Sequence, residues 1–414
     1  MAYLRNLLLI VGLFGSVAGP SRAHGELKKD ALGRLLSAEQ NKCQEIFSAL
    51  RSLGAGITLP LDARTIVDSL PEGTAYYALH VSAGKLHRYL LLGKRVVRLI
   101  PRKLATLDPW LIKTRDQLEY GVLQTKPKGP RGLGDLGENL QRLHRLLWAD
   151  LGPHLSGIER IWVGSAGLAR FLPLHALLDA KGRFVAEHRE VAYLPCAAML
   201  RPSAAHIKRS IALVPGYGRR RTMVKGAAEE LVALKSLGVP ISIWGAGLKS
   251  RGQANRAEMI EALAGKNTLV HFTGHGLAQL NPPGGTELFM GYGLPSVDIA
   301  ALTRDPVHAS LVVLASCQGA YAARFRQRKK LWNRSNMAEA LLFAGAKAVV
   351  AASWAVKNVS SAKQMMDFYG VLKTKGPVSA LTHAYRRQIQ RLNIPHPRFW
   401  AAYAVYGGSG RQAR

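Results

Sequence analysis

The sequence predicts an α/β protein built on a mostly parallel central sheet. From about residue 158 onward, short and continuously apolar segments alternate with segments of helical spacing. Apolar runs without polar alternation are typical of parallel strands that helices cover on both faces. The chain has 414 residues, of which 48% are hydrophobic, so it can bury a large core. We find no internal repeat with a period of 20–50 residues, which argues against a solenoid or propeller.

The N-terminal segment has the three parts of a secretory signal. It carries Arg5, an apolar run from Leu7 to about Val17, and small residues that end at Ala23. We therefore predict that residues 1–23 are a signal peptide cleaved after Ala23, and that the protein is exported. An uncleaved anchor and an over-extended start codon remain alternatives, the latter leaving the protein cytoplasmic. The apolar run is short for a membrane-spanning helix.

The segments before the alternating pattern are predicted to form an N-terminal extension of helices and strands. They comprise residues 24–60 and 61–157. Residues 24–60 form a helical segment that ends at glycines. In 61–157, β-branched and aromatic residues predict a hairpin with its turn at Ser82–Gly84, followed by two helical segments. The hairpin strands are "TAYYALHVSAG" and "KLHRYLLLGKRVVRLIP", and the helices are "LATLDPWLIKTRDQLEYGVLQ" and "ENLQRLHRLLWADLGPHL".

Residues 158–410 are predicted to form the core of the protein. The predicted strands are "IERIWVGS", "SIALVPG", "PISIWGAG", "NTLVHFTGHG", "HASLVVLASCQGA" and "KAVVAASWAV". The predicted helices are "AAEELVALKSLG", "RAEMIEALAG", "SNMAEALLFAGA", "SAKQMMDFYGVLKTKG" and "SALTHAYRRQIQRL".

The chain is strongly basic, with 57 Lys and Arg against 26 Asp and Glu and a formal net charge of +31. Such an excess can serve an acidic partner, nucleic acid or general solubility. The charges are spread along the chain, with local clusters at 218–221 and 324–330, and no aromatic-rich RNA motif or zinc-ligand spacing accompanies them. We therefore expect no nucleic-acid partner, and an acidic surface as partner stays open.

The three cysteines, Cys43, Cys196 and Cys317, are odd in number and widely spaced. This pattern implies no disulfide framework. We expect Cys196 to pack as a small apolar residue. Cys317 differs because it follows directly after a buried strand.

His275 and Cys317 follow two of the predicted strands, "TLVHF" and "LVVLAS". Functional groups of parallel sheets lie beyond the carboxyl ends of the strands. Two neighbouring strands would then present an imidazole and a thiol at one edge, as thiol nucleophiles require. Gly276 and the Cys317 amide are candidate oxyanion donors, because a glycine allows a carbonyl oxygen to approach closely.

Other residues near these positions have structural interpretations. His271 lies on the same strand as His275 and is expected to be buried on the sheet. Asp298 is expected to begin a helix. Trp354 and Tyr369 are expected in the core.

The two strand ends resemble the His and Cys segments of the CHAT domain, a cysteine peptidase module of the clan that includes caspases, separases and gingipains. The resemblance covers about residues 60–410. It rests on "LVHFTGHG" and "LVVLASCQGA", and is supported by "GAAEELVAL", "LPLHALLDAKGRFVAEHREVAYLPCAAML", "AEALLFAGAKAVVAASWAVKN" and "HPRFWAAYAVYGG". Residues 61–157 would be the N-terminal part of the module, and residues 158–410 its caspase-like peptidase core.

The resemblance implies a caspase-like three-layer sandwich and a cysteine endopeptidase. Cys317 would be the nucleophile and His275 the general base and acid, without metal or cofactor. The partners would be a protein or peptide substrate and an activating protein. Substrate-binding residues, cleavage preference and oligomeric state do not follow from the sequence.

The chain departs from the family in three respects, and other functions stay open. We find no tetratricopeptide repeats upstream, and Ala315 stands where basic-specific relatives in the clan often have Asp two residues before the Cys. A signal peptide is also unexpected in a cytoplasmic, sensor-linked protease. The alternatives are a catalytically idle caspase-like scaffold and a basic protein-binding or nucleic-acid-binding module.

The signal peptide can be tested on the protein in its native host. We expect N-terminal sequencing of the mature protein to begin at His24, because the small residues before it fit signal peptidase. A cytoplasmic chain that begins at Met1 or Ala2 would contradict this prediction.

Overall fold

The computed structural model of the protein describes most of the chain between residues 23 and 408. The described ranges are 23–52, 62–121, 128–166, 169–170, 172–200, 207–216, 225–245, 254–280, 283–291, 294–317 and 336–408, with the backbone alone for 23–30, 49, 52 and 277–286. Apart from Ala23, the predicted signal peptide lies outside these ranges, as do the basic clusters at 218–221 and 324–330. Within the described residues, no helix is both long and apolar enough to cross a membrane.

Eleven of the described strands form one large sheet, and two more form a separate hairpin. In chain order the strands are β1 (Thr74–Ser82), β2 (Lys85–Leu92), β3 (Arg95–Lys103), β4 (Arg160–Gly164), β5 (Glu190–Tyr193), β6 (Arg209–Val214), β7 (Ile241–Gly245), β8 (Thr268–Thr273), β9 (Gly276–Leu280), β10 (Pro283–Leu288), β11 (Leu311–Ala315), β12 (Ala348–Ala352) and β13 (Tyr403–Gly407). The order across the sheet is β3-β2-β1-β4-β5-β13-β12-β11-β8-β6-β7.

The sheet contains two sets of parallel strands that run in opposite directions. β1, β4, β5 and β13 form one parallel set. β12, β11, β8, β6 and β7 form the other. The two sets meet where β12 pairs antiparallel with β13. The carboxyl ends of the two sets therefore lie at opposite edges of the sheet.

The central strands are buried on both faces, as the uninterrupted apolar runs predict. Every residue of β4, β8, β11, β12 and β13 is buried. Since helices must cover both faces of such strands, the fold is a three-layer α/β sandwich. The helices are α1 (Ala23–Ser52), α2 (Thr65–Ser69), α3 (Leu104–Tyr120), α4 (Asp135–Leu147), α5 (Val185–His188), α6 (Ala227–Lys235), α7 (Arg256–Ala264), α8 (Ile299–Thr303), α9 (Met337–Ala344), α10 (Asn358–Arg391) and α11 (Pro397–Trp400).

The structure differs from the expected elements in the N-terminal extension and after β8. The predicted hairpin is a three-stranded meander, because the "KLHRYLLLGKRVVRLIP" run turns again at Gly93 (φ 55°) and divides into β2 and β3. The two helices expected near the C-terminus are confirmed: they lie on either side of a non-helical break at Gly376 (φ 72°), before Pro377, and α10 covers both. The hairpin of β9 and β10, which follows β8, has no counterpart among the predicted elements.

Cys196 is buried, as expected, but the expectation that the cysteines form no disulfide framework is wrong, because Cys43 and Cys196 form a disulfide. It joins α1 to the turn after β5 across 153 residues of sequence. Both residues are fully buried. Glu39, one turn before Cys43, strengthens this junction by accepting a hydrogen bond from the Ala197 amide at 2.8 Å. The pairing depends on contacts distant in sequence, which cysteine spacing does not reveal.

Replacing both disulfide cysteines by serine should destabilise the protein in oxidising buffer. We expect a loss of about 2–5 kcal/mol in the free energy of unfolding, because the bridge closes a long loop in the unfolded chain. Chemical denaturation of Cys43→Ser/Cys196→Ser and wild type, with and without reductant, measures it, and reductant should remove most of the difference.

Thiol titration of the denatured, unreduced wild type gives a control for this experiment. It should detect one free thiol, that of Cys317. Three free thiols together with unchanged stability of the double variant would contradict the disulfide.

Candidate active site

β8 and β11 are adjacent, parallel and in register at their carboxyl ends. The last pair of the ladder is Ala315 opposite Thr273. One residue further, the Gly274 amide still donates a hydrogen bond to the Ala315 carbonyl at 3.3 Å. His275 and Cys317 each follow their strand end by two residues, so the register places the two turns side by side.

His275 is exposed at this edge, whereas Cys317 is half-buried. The backbone around His275 is fixed, because its carbonyl accepts a hydrogen bond from the Phe289 amide at 2.9 Å. The Cys317 thiol donates to the Val356 carbonyl, with 3.8 Å between sulfur and oxygen. The segment between β12 and α10 therefore forms one wall around the thiol, and Val356 is a site residue that the sequence did not reveal.

Gly276 allows the two turns to touch. A Cβ atom at this position would lie 2.4 Å from the Cys317 carbonyl oxygen and 3.2 Å from the Ser316 Oγ. The first distance is far inside van der Waals contact. A glycine is required here because the Cys317 backbone packs directly against its Cα. The sequence alone does not suggest this requirement.

A buried polar network lies behind the site and is centred on Glu230 of α6. One carboxylate oxygen lies 3.2 Å from His271 Nε2, and the other accepts a hydrogen bond from Ser361 Oγ at 3.0 Å. The network continues from His271 Nδ1 to the Tyr369 hydroxyl at 2.8 Å, and from Ser361 to the Tyr403 hydroxyl at 2.8 Å. All five residues are buried.

The network connects β8, which leads to His275, with α10, which follows the segment that contacts the thiol. His271 lies on β8, four residues before His275, and Ser361 lies in the first turn of α10, just after Val356. Burial raises the pKa of Tyr403 well above its ordinary value, and the Glu230 carboxylate raises it further. Both effects favour the neutral phenol, which can hydrogen-bond without adding charge next to the thiol.

The structure confirms the structural interpretations of four neighbouring residues. His271, Trp354 and Tyr369 are buried. The Asp298 carboxylate begins α8 by accepting a hydrogen bond from the Ala301 amide at 2.8 Å. In the part of the chain that the structure describes, no three His, Cys, Asp or Glu side chains converge into a group that could hold a metal ion.

Comparison with known proteins identifies the family. The chain matches the CHAT domain over residues 137–408, more than half of its length. The chain therefore belongs to the CHAT domain family. No curated protein matches it in sequence.

Solved structures with a similar fold include separase. The separase of the Saccharomyces cerevisiae separase–securin complex aligns with a TM-score of 0.56 at 10% identity, covering 84% of this chain and 31% of the separase chain. The chain thus spans about a third of that relative. The Arg-specific cysteine proteinase gingipain R aligns with a TM-score of 0.44 at 11% identity, covering 75% of this chain and 76% of the other. The separase alignment supports the caspase-like α/β fold.

Removing the Glu230 carboxylate should destabilise the protein. In Glu230→Ala, His271 and Ser361 lose a buried partner, and each such loss costs about 1–3 kcal/mol. Chemical denaturation should therefore show a loss of at least about 2 kcal/mol. Glu229→Ala, an exposed neighbour on the same helix, is the matched control and should change stability by less than about 0.5 kcal/mol. Equal stability of the two variants would contradict a structural role for the network.

Proposed function

We propose that the protein is a cysteine endopeptidase that cleaves a protein substrate through a Cys317–His275 dyad. The observation that carries the proposal is the placement of the two residues. A CHAT domain chain has a thiol and an imidazole two residues beyond the ends of adjacent, in-register parallel strands. The backbone contact between Gly276 and the Cys317 carbonyl keeps the two turns together.

In this proposal His275 takes the proton of the Cys317 thiol, and the thiolate attacks the carbonyl carbon of the scissile peptide bond. The thiol leaves its contact with Val356 when it transfers the proton. The Gly276 and Cys317 amides would hold the negative oxygen of the tetrahedral intermediate. His275 then protonates the leaving amine, and water releases the acyl group from the sulfur. No metal or cofactor takes part in these steps.

The proposed location is outside the cytoplasm, in a periplasmic or secreted setting. The signal-like residues 1–23 support this location. The Cys43–Cys196 disulfide supports it as well, because disulfides persist in oxidising compartments and are rare in the cytosol. A substrate protein and an activating protein are the proposed partners.

One observation favours a second candidate, a catalytically idle scaffold that binds a partner protein. The Cys317 thiol donates to a backbone carbonyl, which accepts only from the protonated sulfur. A protein that never forms the thiolate would keep this contact. The two candidates differ in whether Cys317 is needed for function.

Turnover of a peptide library by purified variants tests the proposal. Cys317→Ala should abolish cleavage, and His275→Ala should lower kcat/KM by about 10²–10⁴-fold, because it removes general acid–base catalysis. His308→Ala, at an exposed histidine, is the matched control and should leave the rate unchanged. Circular dichroism confirms that each variant is folded.

Gly276→Val adds a steric test to this series. We expect it to impair turnover because its side chain would collide with the Cys317 carbonyl. Undiminished cleavage by folded Cys317→Ala would contradict the peptidase proposal, and an unchanged cellular role of that variant would favour the scaffold.

A further inference from the structure

A cavity of about 640 Å³ lies away from His275 and Cys317. It is lined by residues of α1, of the three strands of the N-terminal meander and of the segment that follows β4. β1 and β4 are parallel, and β1 continues past the end of β4 to Ser82. The cavity therefore lies at the carboxyl ends of the strand set that runs opposite to β8 and β11. Crevices in this position are where open α/β sheets bind ligands.

The charged groups around the cavity are mostly cationic. Four basic side chains line it, those of Arg34, Lys42, Arg98 and Arg170, whereas Glu45 is the acid in the lining. His80 and His87 also face it.

Lys42 and Arg170 already have acidic partners. The Lys42 ammonium lies 2.7 Å from the Glu39 carboxylate, and the Arg170 guanidinium forms an ion pair with Glu339. Arg98 is exposed and has no ion-pair partner among the described residues. Arg98 therefore gives the cavity a guanidinium that is available to an anion.

Ser165 supplies a second, independent observation that points to a ligand. Its side chain lines the cavity, and the residue is only 8% exposed. Its hydroxyl has no hydrogen-bond partner in the described part of the structure. A buried hydroxyl without a partner costs free energy, and a ligand oxygen in the cavity would satisfy it.

The rest of the lining is apolar enough to hold a hydrophobic group. Ile46 and Tyr89 are buried against the cavity, and Val81 exposes 37% of its surface there. The volume far exceeds that of a single phosphate ion, so the anion would carry an organic body. A planar guanidinium and a hydroxyl are donors suited to phosphate oxygens.

We propose that this cavity binds a small-molecule phosphate ester. Arg98 and Ser165 hold the phosphate, and Tyr89, Ile46 and Val81 contact its apolar body. The inference is independent of the peptidase proposal, because the cavity shares no residue with the dyad.

Isothermal titration of the full-length protein with phenyl phosphate tests the inference. We expect saturable binding, weakened about tenfold or more by Arg98→Gln and about threefold or more by Ser165→Ala, because each removes a phosphate donor. Arg95→Gln is the matched control, since Arg95 is an exposed arginine on the same strand outside the cavity. It should leave the affinity unchanged.

Three comparison ligands separate the sources of the binding energy. Benzyl alcohol should not bind measurably, and inorganic phosphate should bind more weakly than phenyl phosphate. A phosphoserine peptide should not bind more tightly than phenyl phosphate. Absence of saturable binding would overturn the inference, as would equal weakening by Arg95→Gln. Equal affinity for inorganic phosphate would overturn the role of the apolar body, and preference for the peptide would overturn the ligand class.

Discussion

The in-register parallel pairing of β8 and β11 is the constraint on which the candidate site depends. Parallel strands place their carboxyl ends at one edge, and the register sets Thr273 against Ala315. Because His275 and Cys317 each lie two residues beyond the end of their strand, they occupy equivalent positions. A shift of one residue would move one side chain to the other face of the sheet. The geometry of the candidate site is thus a property of the sheet, which loop residues alone could not fix.

Two further features support this arrangement. Gly276 lets the two turns approach, and Glu230 ties β8 to the first turn of α10 through His271 and Ser361. The carboxylate is buried, so its hydrogen bonds are strong and their loss is costly. The wall that contacts the thiol through Val356 is therefore anchored to the strand that leads to His275.

Most of the fold could be predicted from the sequence, because apolar strands and amphipathic helices depend on local patterns. The reversal of direction between β12 and β13 could not be predicted, since pairing between distant segments leaves no local signal. The Cys43–Cys196 disulfide could not be predicted for the same reason. The sequence points to His275 and Cys317 because each follows an apolar run, whereas Glu230 and Val356 act through contacts that only the folded chain creates. Whether the dyad is catalytic stays a prediction.

The most direct measurement is the rate at which a thiol-directed peptide electrophile labels Cys317, with the adduct located by mass spectrometry. We predict rapid labelling of Cys317 in the wild type, much slower labelling in folded His275→Ala and none in Cys317→Ala. Equal labelling rates in the wild type and His275→Ala would contradict it, because the imidazole would then do nothing for the thiol.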